Sequence, residues 1–226
     1  MNIVILAASD FPTHPIPLKA LHEADFIVCC DSAYTQLKTK RLTPNTDFVV
    51  IGDGDSLSEG DKQELGDRWI LVAEQDYNDL HKAMQWATSK FKIQNSKFLI
   101  LGATGRREDH TLGNISYLVT FAEEYPGIDL QMLTDHGTFR SLPPTPPNAE
   151  HSAPNTHHLP SFPRQQVSIF TPDPNTSLSS DGLRWPLHEM HPRLWWQATL
   201  NEALGDSFSL SSDGWIILFQ TYAPKA

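Results

Sequence analysis

Four stretches of the chain place charged side chains at spacings that chemistry can use. The first is Val50-Ile51-Gly52-Asp53-Gly54-Asp55-Ser56, an apolar run leading into two aspartates one residue apart. On an extended backbone residues two apart face the same side, so both carboxylates converge beyond a strand end. In open α/β sheets that end faces the ligand crevice. Two hard oxygen anions there suit Mg2+, which takes few carboxylates and adds water and phosphate. The same residues would also make a polar turn that caps the next helix. The second stretch runs from Gln75 to Lys82. Asp76 and Asp79 have the spacing of an N-cap and an acidic third residue. Asp79 and Lys82 are three apart and share one helix face, with Lys82 opposite the apolar stripe or at its margin.

The third stretch is Gly102-Ala103-Thr104-Gly105-Arg106-Arg107-Glu108-Asp109-His110, continuing to Asn114. An apolar run ends in a glycine-rich turn and a helix begins. Backbone N–H groups at such a turn attract phosphate, and the guanidinium forks of Arg106 and Arg107 suit its oxygens. Asp109 and His110 would equally cap the helix. The fourth is Asp31-Ser32-Ala33 after the apolar run ending at Cys30, placed to touch a ribose or a metal, or to cap a helix. There is no G-K-[ST] after the glycines, no C-x-x-C and no H-E-x-x-H. Acidic strand ends facing a basic glycine loop point to Mg2+–nucleotide phosphoryl chemistry, in which a protein mostly positions groups and neutralises charge.

The elements that must carry these residues are legible as well. Apolar runs occur at Asn2–Ala8, Phe26–Cys30, Phe48–Ile51, Trp69–Val72, Phe98–Leu101 and Leu130–Leu133, as buried parallel strands require. Helical stretches lie between them. In Asn78–Phe91 the residues Leu80, Ala83, Met84 and Ala87 form one apolar face, and Glu108–Tyr125 carries Leu112, Ile115, Leu118, Val119 and Ala122. Alternation at this spacing predicts an α/β fold with a doubly wound, mostly parallel sheet over 1–140. Residues 141–164 hold seven prolines from Pro143 to Pro163 and predict a linker or loop, with His151, His157 and His158 solvated. From 165 to 226 turn signals separate short runs at Gln166–Thr171, Gly182–Trp185, Trp196–Leu200, Ser207–Ser211 and Trp215–Thr221. These predict a second, smaller all-β, sandwich-like domain. Trp185, Trp195, Trp196 and Trp215 are expected mainly in its core, with one available to stack on an aromatic cation.

Composition limits the partners. The chain has 226 residues, 39% hydrophobic, with 17 Lys and Arg against 27 Asp and Glu, a formal net charge of −10. That argues against a nucleic-acid partner, which needs a basic surface. No run reaches the roughly 20 apolar residues of a membrane helix. The two cysteines, Cys29 and Cys30, are neighbours in an expected strand, read as inert core thiols in a reducing cytoplasm.

Taken in order, the four motifs resemble those of the thiamine pyrophosphokinase family, D-G-A, G-D-x-D-S, Q-D-x-[TN]-D-x-x-K-A and G-A-x-G-G-R-x-D-H-x-x-x-N. They read here as Asp31-Ser32-Ala33, Gly52 to Ser56, Gln75 to Ala83 and Gly102 to Asn114, over about 85 residues. Gly182-Leu183-Arg184-Trp185-Pro186-Leu187 resembles the family's G-L-x-Y-P-L, and Thr199-Leu200-Asn201-Glu202 its S-N-E segment. Ser32, Gly54, Arg106, Thr199 and Leu200 depart from those patterns. Arg106 stands where the family has its second glycine, and Gly54 where it has a bulky residue. The resemblance implies a nucleotide-binding catalytic domain, a thiamine-binding β-sandwich and a homodimer whose active site lies near the subunit interface. It implies transfer of a diphosphoryl group from Mg–ATP to the hydroxyl of thiamine, releasing AMP. Asp53, Asp55 and Asp79 would hold Mg2+ and, with Lys82, carry the catalysis. Asp31, Gly102, Thr104, Arg106, Arg107, Asp109, His110 and Asn114 would contact ATP, and Gln75, Thr199 and Asn201 thiamine. Two alternatives share these motifs: a diphosphokinase for another hydroxymethyl heterocycle such as a pterin, and a catalytically silent thiamine or nucleotide sensor.

Overall fold

The apolar runs become strands with few changes. The structure is a computed structural model that describes residues 1–40, 46–145 and 156–224. These divide into two units, Met1–Tyr117 with Glu123–Asp135, and Leu118–Ala122 with His136–Ala226.

The first unit alternates β1 (Asn2–Leu6), α1 (Pro15–His22), β2 (Phe26–Cys30), α2 (Ala33–Thr39), β3 (Phe48–Gly52), α3 (Glu59–Leu65), β4 (Trp69–Leu71), α4 (Asp79–Lys90), β5 (Lys97–Leu101), α5 (Glu108–Glu124) and β6 (Asp129–Leu133). The strands pair in parallel in the order β6-β5-β1-β2-β3-β4. The chain thus moves outward from β1 to β4, then returns to the other side of β1 for β5 and β6. The topological switch point lies between β1 and β5, where an open sheet of this kind has its ligand crevice. One sheet face packs Val4, Leu6, Ile27, Cys29, Val50 and Leu99 against Leu21, Leu37 and Leu65 of α1–α3. The helix α4 packs on β1, β2 and β3 through buried Leu80, Ala83, Met84 and Ala87. In α5, Leu112 is exposed rather than on the apolar face its spacing predicts.

The second unit contains β7 (Gly137–Leu142), β8 (His157–Pro160), β9 (Gln165–Phe170), β10 (Leu178–Asp181), β11 (Asn201–Glu202), β12 (Ser207–Ser212) and β13 (Ile216–Pro224). Here β11-β9-β13-β7 run antiparallel, and β10-β12-β8 form a separate antiparallel sheet. Leu159, Val167, Ile169, Leu178, Phe208, Leu210 and Leu218 fill the core. Three expectations change. In the segment 141–164, residues 146–155, His151 among them, lie outside the described residues. His157–Pro160 form a strand, because pairing with Ser207–Leu210 of β12 satisfies their backbone. Gly182–Trp185 and Trp196–Leu200 are not strands. Leu183 makes one isolated bridge to Ala203, and Trp195–Ala198 form a 3-10 turn in which Gln197 Oε1 accepts the Leu194 N–H at 2.8 Å. The tryptophans are also not mainly core. Trp185, Trp195 and Trp196 are 51%, 47% and 70% exposed, since the turn holding the last two packs only Ala198 inward.

Candidate active site

The loops that leave the C-terminal ends of β1, β2, β3 and β5, with the N-terminus of α4, build the site in the first unit. After β1 the chain turns through Ala7, Ala8 and Ser9. Ser9 N donates to Gly102 O at 2.8 Å and Asp10 N to Thr104 O at 3.2 Å, tying this turn to the loop after β5. Gly102 has φ 63°, and a Cβ there would lie 2.7 Å from Ala7 O, so glycine is required for the close approach. Beyond it Arg106, φ 54°, is in the left-handed region although it carries a side chain. Its Nη1 donates to Ala8 O at 3.0 Å and its Nε lies 3.6 Å from Asp10 Oδ1.

Arg107 makes a two-bond ion pair with Asp109, Nε to Oδ1 at 3.0 Å and Nη2 to Oδ2 at 2.5 Å. That guanidinium holds the exposed Asp109 carboxyl down at about 2. Asn114 is buried nearly two turns into α5. Its Nδ2 donates to Ala103 O at 2.8 Å, and its Oδ1 accepts from Asn78 Nδ2 at 3.4 Å. Asn78, not Asp76, caps α4: its Oδ1 accepts the His81 N–H at 3.1 Å. A carboxamide one residue before the helix reaches that N–H, whereas Asp76 is two residues further out and exposed.

On the other side of the site stand the acids. Asp53 Oδ1 accepts the Asp55 N–H at 3.1 Å, and Oδ2 accepts Gln75 Nε2 at 3.0 Å. These bonds, the Gln75 contact first, hold the Asp53 carboxyl below its ordinary range. Gln75 therefore orients Asp53. Asp31 is buried; Oδ2 accepts the Ser56 N–H at 3.2 Å, and Oδ1 is buried with no hydrogen-bond partner. Burial raises its pKa, and Asp53 and Asp55 raise it further against the lowering effect of Ser56. Asp79, the first residue of α4, is raised chiefly by burial and lowered by Lys82. The Lys82 side chain is 2% exposed and its Nζ lies 3.7 Å from Asp79 Oδ1. The spacing thus pairs Asp79 with Lys82 as expected, but Lys82 is inside rather than at the margin of the helix.

A cleft of about 330 Å³ joins the two sides. It is lined by Ala7, Ala8, Ser9, Cys30, Asn78, Asp79, Leu80, Arg106, Arg107, His110 and Asn114. Asp79 belongs both to this cleft and to the acid cluster, where Asp31 and Asp53 act on it electrostatically. Cys30 lines the cleft with its thiol pushed well up by burial and the nearby acids, so it is an inert wall. The β1 turn and Asn78 carried no charge signal and are absent from the residues singled out by spacing. The rule that ligands sit where an open sheet reverses direction would have found them.

The donor chemistry suits Mg2+: buried Asp31 Oδ1 has no partner, and Asp53 and Asp55 offer hard oxygens beside it. Among the described residues no group of three or more His, Cys, Asp or Glu side chains is arranged to hold a metal by itself. Mg2+ needs no such cage, because water and phosphate fill most of its shell. The residues fit a cation that arrives with its phosphate.

In the second unit, the Asn201 carboxamide is already engaged. Oδ1 accepts the N–H groups of Trp185 at 3.1 Å and Glu202 at 2.8 Å, and Nδ2 donates to Trp185 O at 2.7 Å. Asn201 thus clamps the backbone of an exposed tryptophan. Thr199 Oγ1 donates to Trp196 O at 2.7 Å and closes the 3-10 turn.

Comparison with known proteins agrees with this arrangement. Residues 18–130, half of the chain, match the family model "Thiamin pyrophosphokinase, catalytic domain", and residues 151–219 match "Thiamin pyrophosphokinase, substrate-binding domain". The chain belongs to the thiamin pyrophosphokinase family. The thiamin pyrophosphokinase of Bacillus subtilis (strain 168) is 28% identical over 146 residues, 63% of this chain and 62% of that protein. Thiamin pyrophosphokinase 1 of Caenorhabditis elegans is 25% identical over 105 residues, 45% of this chain and 43% of that protein. The chain thus spans about half the length of the curated relatives it matches. The fold is that of the solved thiamin pyrophosphokinases. The Bacillus subtilis structure has a TM-score of 0.74 at 21% identity, covering 98% of this chain and 99% of that one. The Candida albicans structure has 0.78 at 16%, covering 97% and 88%.

One stability consequence follows from the acids alone. A carboxyl whose folded pKa exceeds its unfolded value weakens the fold above that pKa, and the penalty disappears as pH falls toward 3.8. Asp31→Asn keeps an acceptor for Ser56 N–H and removes the buried charge. It should raise the melting temperature at pH 7, by a margin that shrinks as melts are repeated toward pH 4. A lower melting temperature at pH 7 would contradict the buried-charge account.

Proposed function

We propose that this protein transfers a diphosphoryl group from Mg–ATP to the hydroxyl of thiamine, giving thiamine diphosphate and AMP. The observation that carries the reading is the cleft at the β1/β5 switch point. There Asp79 links an acid cluster suited to a metal with a glycine loop bearing Arg106 and Arg107. The family membership supports the acceptor. Asp53, Asp55 and Asp79 would hold Mg2+, with Asp31 offering its unpartnered Oδ1 to the metal–ATP complex while its Oδ2 holds the Ser56 N–H. When bound, the ion neutralises the triphosphate and serves as a template for its oxygens. Arg106, Arg107 and the N–H groups around Gly102–Thr104 grip the phosphates, with Asp109 and His110 shaping the loop. Lys82 lies beside Asp79 and Asp53 and opposes the charge that develops on the phosphoryl oxygens. The thiamine hydroxyl oxygen bonds to the β-phosphorus, the bond from that phosphorus to the α–β bridging oxygen breaks, and AMP leaves with the electron pair. The hydroxyl proton is lost to solvent. Asn201 acts by fixing Trp185, whose exposed indole suits a cationic heterocycle. The exposed Trp185, Leu194, Trp195, Trp196, Leu200 and Leu204 offer apolar surface for a second copy in a homodimer.

The test is direct. Purified protein with thiamine, ATP and Mg2+ should yield AMP and thiamine diphosphate in equal amounts, and none without Mg2+. AMP formed with a hydroxymethylpterin but not with thiamine would assign a different acceptor. Calorimetric binding of both ligands without AMP release would make the protein a sensor.

Arg106 offers a sharper test within the site. Its left-handed backbone costs about 1 kcal/mol for a residue with a side chain. Arg106→Gly should therefore leave thermal stability equal or slightly raised while the KM for ATP rises about fivefold, the loss of one charge-assisted contact. An unchanged KM would remove Arg106 from the nucleotide site.

A further inference from the structure

The turn between the two aspartates that follow β3 is held from a direction that the sequence motif does not contain. Gly54 has φ +86°, a conformation that glycine, with no Cβ, adopts freely and as freely leaves. It is nonetheless buried, between a half-buried Asp53 and an exposed Asp55. The cover is Trp69, the first residue of β4. A Cβ built on Gly54 would lie 2.5 Å from Trp69 Cη2 and 2.7 Å from Cζ2, closer than side chains approach. The indole occupies the space that a side chain at position 54 would fill. Lys62 of α3 closes the stack: its Nζ lies 5.6 Å from the indole centroid and its Cε would be 3.3 Å from that Cβ. Glu59 anchors its ammonium at 2.8 Å, and Asp31 and Asp55 act on it electrostatically. Trp69 is itself fixed, packed against the core and paired in register with Val50 of β3.

We propose that Trp69, with Lys62 laid across it, is a positioning residue that fixes the Asp53–Gly54–Asp55 turn so that both carboxylates can share one Mg2+–nucleotide complex. This rests on the reading of Asp53 and Asp55 as metal-holding groups. A glycine between two ligands leaves their separation loose, and the rigid indole removes that freedom from outside the loop. Groups that orient metal-holding side chains typically matter by about 10–100-fold in metal affinity.

The experiment measures binding, by calorimetry of the full chain with an ATP analogue methylene-bridged between the α and β phosphorus, with and without Mg2+. Trp69→Ala should weaken the Mg2+-dependent binding about tenfold and leave the Mg2+-free binding unchanged. Gly54→Ala, which drives a Cβ into the indole, should weaken it similarly. In the Trp69→Ala background the same Gly54→Ala change should cost clearly less than it does in the wild type, because the clash with the indole is gone and only the strain of the left-handed backbone remains. Trp69→Phe should retain most of the affinity, and it carries the test if Trp69→Ala does not fold. Losses that simply multiply in the double variant, or a Trp69→Ala that lowers the melting temperature but binds Mg2+ and analogue as wild type does, would overturn the positioning role alone. A wild-type protein that shows no Mg2+-dependent binding would overturn both this role and the reading beneath it.

Discussion

Asp55→Ala should abolish turnover, by about 10³-fold, while the fold stays intact. The two halves of that expectation have separate causes. Asp55 is exposed, and its backbone N–H, not its side chain, makes the bond to Asp53. Removing an exposed side chain costs little stability, about 0.5 kcal/mol or less. Asp55 also raises the pKa of buried Asp31, so its loss relaxes that strained charge and shifts stability slightly upward at neutral pH. On the proposed reading the chemical loss is large because a carboxylate that holds the metal–phosphate complex binds most tightly in the transition state, where charge shifts onto the leaving oxygen. Saturation kinetics with thiamine and Mg–ATP, beside a thermal melt, check both halves. Near-normal turnover by the folded variant would remove Asp55 from the metal-holding set.

Lys82→Met should lower turnover by about 10²–10³-fold and, unlike Asp55→Ala, should also destabilise the protein. Methionine fills the same buried volume, so the change isolates the charge. Without the ammonium, Asp79 stays partly buried beside Asp31 and Asp53 with its nearest cation gone. Breaking a fully buried pair costs about 3–5 kcal/mol. The Asp79 side chain is 34% exposed, so solvent screening reduces this to roughly 1–2 kcal/mol. Losing Lys82 raises the Asp79 pKa further, so the destabilisation is present at neutral pH and vanishes as pH falls far enough to protonate Asp79. The double variant Lys82→Met/Asp79→Asn should recover the melting temperature without recovering turnover. Recovery of both would make the pair a packing feature.

The parallel strands were legible because they are buried on both faces, and burial writes an unbroken apolar run into the sequence. Phe26–Cys30 is read to the residue, and Phe48–Ile51 ends one residue short of the observed β3. The helix α4 was legible from Leu80, Ala83, Met84 and Ala87. The antiparallel half was less so. His157–Pro160 pairs across the sheet with a segment about 50 residues away, and no local signal in a proline-rich stretch announces such a partner. Trp196–Leu200 has the composition of a strand, but Trp195–Ala198 close into a tight turn beside β9, and Leu200, at φ 58°, gives its N–H to the Ser168 hydroxyl rather than to a ladder.

The site divides along the same line. The sequence by itself determined which chemistry was present: the acid pair after β3, the Asp79–Lys82 spacing, and the glycine loop with its arginines. Each is a local pattern whose spacing follows from backbone geometry alone. Tertiary structure decided how those groups are used. It placed the uncharged β1 turn opposite the glycine loop, buried Lys82, and turned the Gln75 amide onto Asp53. It tied the Asn201 carboxamide to the backbone of Trp185 and Glu202, and set the Trp69 indole over Gly54. These depend on sheet order and on which strand ends become neighbours. The energies that select them come from burial and from satisfying buried polar groups, and are shared among residues far apart in the chain.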